Sequence, residues 1–124
     1  MCNENCGACL ATLLENIILL QQSSSSILGC DRPMLGSITP VANTRPLNLY
    51  SCCNGTIWSM PYTVGDTTGT STFFRIENVN DNCATFRILT LVGDTYTSTN
   101  NYFTVNLKCI GTIKCLADTF VDGI

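Results

Sequence analysis

Cys83-Ala84-Thr85-Phe86-Arg87-Ile88-Leu89-Thr90-Leu91-Val92 decides the fold. The stretch has no Gly or Pro and is rich in β-branched and aromatic residues, which suit a pleated, buried surface. At a period of two, Phe86, Ile88 and Val92 share one face, and Arg87, Leu89 and Leu91 share the other. Both faces are largely apolar, so the strand is either a sandwich interior with an interface or a central strand covered twice. Upstream, Asn80-Asp81-Asn82 has the chemistry of a tight antiparallel turn and joins this strand to a second one over 72–79. Downstream, Gly93 to Asn101 reads as a polar loop. Tyr102 to Ile110 then alternates, with Phe103, Val105, Leu107 and Cys109 pointing one way. Gly111 marks a bend before a last strand over 112–117. Nearer the N-terminus, short strands over 47–52 and 56–60 flank Asn54-Gly55, a strong hairpin dipeptide, and Pro61 to Ser71 reads as a loop. Gly29, Pro33, Gly36 and Pro40 punctuate a further loop. The expected fold is mainly β: an antiparallel β-sandwich or jelly-roll-like barrel with an N-terminal amphipathic helix.

That helix is expected from about Ala8 to Gln22. Leu10, Leu13, Leu14, Ile17, Ile18 and Gln21 recur at three- and four-residue spacings, and Thr12, Glu15 and Asn16 wet the opposite side. Ser23 to Ser26 should end it, because short hydroxyl side chains compete for the backbone. The chain thus divides into residues 1–28, a cysteine-rich arm, helix and Ser-rich hinge, and residues 29–124, the β domain. A hinged amphipathic helix can dock on its own domain or a neighbour's, which makes its five apolar positions candidate subunit contacts. Arg45, held extended before Pro46, is expected to make either a fixed ion pair or another such contact.

The composition removes several functional classes. The 124 residues contain no His, which takes away His-activated nucleophiles, His-ligated metals and the commonest general base near neutral pH. No catalytic or cofactor-binding set emerges, and the chain is not expected to be an enzyme. Six basic residues that never cluster, in a chain of net charge −3, do not make a nucleic-acid surface. The apolar run Leu10 to Leu20 is too short and too polar to span a bilayer and lacks a positive flank, so neither membrane insertion nor a signal peptide is expected. Charged residues are only 12%, and Thr, Asn and Ser stand in for them, so repulsion between copies is weak.

Nine Cys is the other unusual feature. The odd count leaves one thiol over in a fully oxidised chain, the arithmetic of cross-linking between copies. Cys2, Cys6, Cys9, Cys30, Cys52, Cys53, Cys83, Cys109 and Cys115 are all candidates for disulfides or cross-links. Cys6-Gly7-Ala8-Cys9 provides one zinc knuckle, but a structural site needs a second pair, so a small metal-binding or redox module is the alternative reading. Vicinal Cys52 and Cys53 would point to opposite faces if both lay in a strand. Glu77, between Arg75 and Arg87 on paired strands, can bridge to either. The combined reading is a structural protein that assembles into a cross-linked sheet, tube or shell.

Longer motifs sharpen this. Val41-Ala42-Asn43-Thr44-Arg45-Pro46-Leu47, Phe74-Arg75-Ile76-Glu77-Asn78-Val79-Asn80-Asp81-Asn82-Cys83-Ala84, Arg87-Ile88-Leu89, and Thr104-Val105-Asn106-Leu107-Lys108-Cys109 through Lys114-Cys115-Leu116 closely resemble the cysteine-rich spore coat proteins Y and Z and the related exosporium basal-layer protein of endospore-forming bacilli. The likeness covers most of residues 29–117. It implies a structural protein made in the mother-cell cytoplasm and deposited on the spore surface. It also implies self-assembly as a homo-oligomer, a hexamer within a two-dimensional lattice, alongside other coat or exosporium proteins. Cys30, Cys83, Cys109 and Cys115 match family cysteines and carry over as structural or cross-linking thiols. The chain departs from the pattern at Ile110 and Gly111, where members commonly have a further cysteine, and in a shorter segment between Val92 and Tyr102.

Overall fold

A computed structural model describes residues 6–25, 42–122 and 124, without the side chains of 6–8 and 23–25. Cys2, Cys30 and the loop expected over 29–40 lie outside the described residues. One helix, α1 (Cys6–Ser25), precedes seven strands: β1 (Leu47–Ser51), β2 (Met60–Val64), β3 (Thr67–Ser71), β4 (Phe73–Asn80), β5 (Cys83–Val92), β6 (Thr95–Asn106) and β7 (Ile110–Cys115). A single 3₁₀ turn, Leu107–Cys109, separates the last two. The fold is mainly β and antiparallel, with one N-terminal helix, as expected.

β5 has the expected bounds and lies inside a five-stranded sheet of order β6-β5-β4-β1-β7; β2 and β3 form a separate hairpin. Asp81 takes the left-handed conformation (φ 53°) in the two-residue turn between Asn80 and Cys83, a place where Asp is tolerated better than most side chains. The sheet is open, since β6 and β7 are its edges, yet it must be strongly coiled. The four residue-to-residue steps from Asn106 to Ile110 carry the chain from one edge to the other and reach ~14 Å at most, whereas four flat inter-strand steps would measure ~19 Å. Inside the coil, Phe103 meets Phe74 edge-on at 4.9 Å and stacks on Phe86 at 5.5 Å. Leu47, Leu49, Ile76 and Ile88 complete that core, and Leu14 and Ile17 of α1 close it.

Several expectations are corrected. The helix runs through Ser25, beyond the stop expected at Ser23. Serine costs a helix only about 0.5 kcal/mol per residue relative to Ala, less than the packing of the preceding turns provides. The loop expected over 61–71 is the β2–β3 hairpin, turned at Gly65 (φ 59°) and Asp66. The loop expected over 93–101 is mostly strand, because Val92 pairs with Thr95 across a two-residue turn and the β5 ladder extends through threonines. The strand expected over 56–60 shrinks to a bridge between Ile57 and Tyr50, with the Asn54-Gly55 turn in place. The alternation expected to reach Cys109 ends at the 3₁₀ turn, which leaves Cys109 exposed and Leu107 buried. The tip of β5 leaves the core, so Leu91 is exposed and Val92 is 72% exposed.

Three carboxamides brace backbone that the ladders leave unpaired. Gln21 of α1 donates from Nε2 to the Ile76 carbonyl (3.1 Å) and accepts the Arg45 N–H at Oε1 (3.1 Å). The β1–β4 pairing stops at Leu47 and Phe74, so Gln21 supplies the rung that would follow. Asn43 accepts from Val121 N–H (2.9 Å) and donates to its carbonyl (3.0 Å). Asn101 does the same for Thr63 (3.2 and 2.9 Å). A carboxamide carries both a donor and an acceptor, as a peptide group does, and so substitutes for one.

The second face of β5 is covered too. Leu89 and Val121 are both buried but lie outside the main cluster. The C-terminal segment reaches this side through the Thr44–Thr119 bridge and through Ser98 Oγ, which donates to the Asp122 carbonyl at 3.2 Å. Arg75, only 7% exposed, lies on the same side. It donates to Glu77 (2.8 Å), Thr44 Oγ1 (3.1 Å) and the Asn43 carbonyl (3.2 Å). Arg87 Nε lies 3.2 Å from the same Glu77 oxygen, and its guanidinium stacks over Tyr102 at 4.9 Å. Glu77 thus bridges both arginines, which are not solvated edge charges.

Candidate functional site

Turns, more than strands, present the cysteines. Cys52 and Cys53 lie just past β1, where the Asn54-Gly55 reversal closes with Gly55 N–H on the Ser51 carbonyl at 2.9 Å. Because they sit in a turn, their sulfurs do not diverge to opposite faces as a strand would require but lie 4.0 Å apart. Cys52 Sγ is also 2.9 Å from the Lys108 carbonyl oxygen, and Cys52 N–H donates to the Cys109 carbonyl at 3.0 Å. Gly111 permits this approach, since a Cβ there would stand 2.6 Å from Cys52 Cα. Cys83 joins the same end of the molecule. It pairs with Asn106, and Leu107 N–H donates to the neighbouring Asn82 carbonyl at 2.7 Å. The coil of the sheet therefore brings thiols far apart in sequence onto one pole.

Cys115 lies at the other end of β7, opposite Leu47. Beside it Arg45 makes a two-pronged contact with Asp118, at 2.6 Å from Nε and 3.0 Å from Nη2. The Arg45 hydrogen bond holds the Asp118 carboxyl below its ordinary range, and Asp118 in turn raises Arg45, with a smaller contribution from Cys115. Cys9, on the first turns of α1, is exposed. Cys9, Cys53, Cys83, Cys109 and Cys115 are all exposed and unpaired. Among the described residues, no three His, Cys, Asp or Glu side chains come together as metal ligands.

The helix positions read as subunit contacts face the chain's own sheet. Leu14 and Ile17 are buried in its core, and Leu10, Leu13 and Ile18 pack half-buried against it. The outward apolar residues of α1 are Leu19 and Leu20, 60% and 53% exposed. A second apolar patch combines Val64, Leu91 and Val92 beside the turns of two hairpins, which carry the exposed Asp66 and Asp94, and beside a groove lined with threonines. Sequence reasoning missed Leu19 and Leu20 as surface because they extend an apolar run. It placed Gln21 on the inward stripe of α1 but missed its bracing role, and it missed Asn43 and Asn101 because a bracing carboxamide has no periodic signature. Their only sequence signal is an amide side chain beside apolar residues.

No helix among the described residues is long and apolar enough to cross a membrane. A family model described as Spore coat protein Z matches residues 1–98. No curated protein and no solved structure matches the chain. The match ends within β6, so the remainder of that strand, the 3₁₀ turn, β7 and the C-terminal segment lie outside it.

Proposed function

Because this chain belongs to the spore coat protein Z family, a structural family of the spore surface, we propose that it assembles with copies of itself into an ordered layer that disulfides then lock. The observation that carries this reading is the set of exposed, unpaired thiols found among the described residues, Cys9, Cys53, Cys83, Cys109 and Cys115, in a chain in which charged residues are only 12%. Weak surface charge lets copies approach closely. High local concentration in an assembly then favours thiol exchange between neighbours over exchange with solvent thiols. The two apolar patches, on α1 and at the hairpin tips, differ from one another. A contact that joins unlike patches is head-to-tail, and it closes into rings or propagates. A hexamer within a two-dimensional lattice is the assembly proposed, with other coat or exosporium proteins as further partners. Synthesis in the mother-cell cytoplasm belongs to the same proposal.

The test is electron microscopy of the purified protein with and without reductant, with non-reducing gels of the same samples. Ordered sheets, tubes or shells joined by thiol-sensitive bonds are expected. A uniformly small particle under both conditions would overturn the reading.

A further inference from the structure

A cross-linked layer demands more than reactive thiols; it demands valence. One bonding thiol per copy gives dimers, two give chains, and three or more give a branched network. The pole formed by the turn after β1, the β4–β5 turn and the 3₁₀ turn carries Cys53 and Cys109 on the first and last of these and Cys83 at the start of β5, directly after the second, all exposed and unpaired. Backbone contacts tie those turns together: Cys52 N–H to the Cys109 carbonyl at 3.0 Å, and Leu107 N–H to the Asn82 carbonyl at 2.7 Å. Cys115 stands apart, at the far end of β7, roughly 20 Å from Cys109 at about 3.3 Å per residue. That span is far beyond the Cα separation of about 4.4–6.8 Å that a disulfide allows. Among the described residues the thiols do not converge on a metal site either.

We infer that this pole is a trivalent covalent junction, at which Cys53, Cys83 and Cys109 each bond a thiol of a neighbouring copy, and which turns non-covalent contacts into a branched network. The inference rests on the layer-forming reading and names the residues that carry its cross-links. A thiolate at the pole attacks a low-molecular-weight disulfide and releases one small thiol. The neighbour's thiolate then attacks the mixed disulfide and releases the second. Two protein thiols are oxidised to one disulfide, one small disulfide is reduced to two thiols, and both protein protons leave with them.

The experiment mixes ¹⁴N- and ¹⁵N-labelled full-length protein and oxidises it with oxidised glutathione. Non-reducing gels and peptide mapping then follow, and hybrid-isotope disulfides report bonds between copies. Wild type should give hybrid bonds at all three positions. Combined Cys53→Ser, Cys83→Ser and Cys109→Ser should cut species larger than a dimer at least tenfold, while Cys9→Ser with Cys115→Ser leaves most of them. Melting in reductant confirms that each variant folds. Wild-type cross-linking in the triple variant, or bonds at the pole that are exclusively single-isotope with no hybrid among them, overturns the inference. Microscopy in reductant separates the two claims: absence of an ordered layer with hybrid pole bonds present sinks the layer, and an ordered layer without those bonds sinks the junction.

Discussion

Replacing Gln21 by Met tests whether a side-chain amide serves as a rung of the sheet. Methionine has nearly the same length and volume, so no cavity opens and helix propensity is almost unchanged. What disappears is the donor to the Ile76 carbonyl and the acceptor for the Arg45 N–H, each at 3.1 Å. Gln21 is 5% exposed, so water does not easily replace it. An orphaned buried backbone group costs about 1–3 kcal/mol. The Arg45 N–H is only part-buried and sits at the low end, so the pair amounts to about 2–4 kcal/mol. With an unfolding entropy of about 0.26 kcal/mol/K for a chain of this length, melting should fall by roughly 8–15 °C. The assay is calorimetry or circular dichroism in reductant, so that cross-links do not contribute. Gln21→Glu sharpens it. The ionised carboxylate still accepts from Arg45 but turns an oxygen on the Ile76 carbonyl, which should raise its folded pKa above the unfolded value. Its deficit relative to wild type should therefore be full above the folded pKa and shrink as pH falls, when the protonated acid donates to Ile76. A loss below about 3 °C for Gln21→Met, or a pH-independent deficit for Gln21→Glu, would refute the rung.

Asn43→Ala should release the C-terminal segment, since two hydrogen bonds to Val121 go; a loss of about 1–3 kcal/mol and faster proteolysis after Ala117 are expected. Gly111→Ala should destabilise by about 1–3 kcal/mol, because its methyl meets Cys52 Cα at 2.6 Å and backbone must shift; hydrogen exchange should speed up at 51–55. Asp118 has a lowered folded pKa, so its contribution is complete above the ordinary carboxylate value of 3.8 and is lost as pH falls through the folded value. Both partners are solvent-exposed, so Asp118→Asn should cost under about 1 kcal/mol at pH 7 and flatten only the acid end of the stability curve, read from urea melts. Assembly followed by light scattering should change less than about twofold between 50 and 500 mM NaCl, since so few charges face a partner; a steep salt dependence would point to charge-driven contacts.

The apolar face pattern of β5, the turn at Asn80-Asp81-Asn82 and the α1 stripe were legible because burial writes a period into sequence. The threonine strands were not. In β3, and in β6 from Thr95 to Asn101, both faces are polar, so nothing alternates, and only the spacing of Gly65-Asp66 and Gly93-Asp94 betrays two-residue turns. The stretch Asn43-Thr44-Arg45 was legible only as part of a family-like motif, with Arg45 read as a fixed ion pair or a subunit contact. Most of its work is internal: Asn43 latches Val121, Thr44 accepts from Arg75, and Arg45 pairs with Asp118. The thiols were legible as a count and not as a place. Their convergence depends on the coil of the sheet, which follows from the short crossing between Asn106 and Ile110.

That internal use of polar groups bears on how copies meet. Arg45, Arg75 and Arg87 are all held in ion pairs within the chain. Among the described residues this leaves Lys108 and Lys114 as the side-chain cations outside an ion pair. An approaching copy of the proposed layer would therefore meet hydroxyls, amides, scattered carboxylates, these two exposed lysines and a few exposed apolar side chains. In the proposed layer such groups would make short-range contacts, each weak, that form and break until the copies are in register. A strong field of fixed charge would instead reward many wrong registers nearly as well as the right one. The proposed covalent bonds, closing later at turns already held together by backbone hydrogen bonds, would make permanent whatever arrangement those weak contacts have selected.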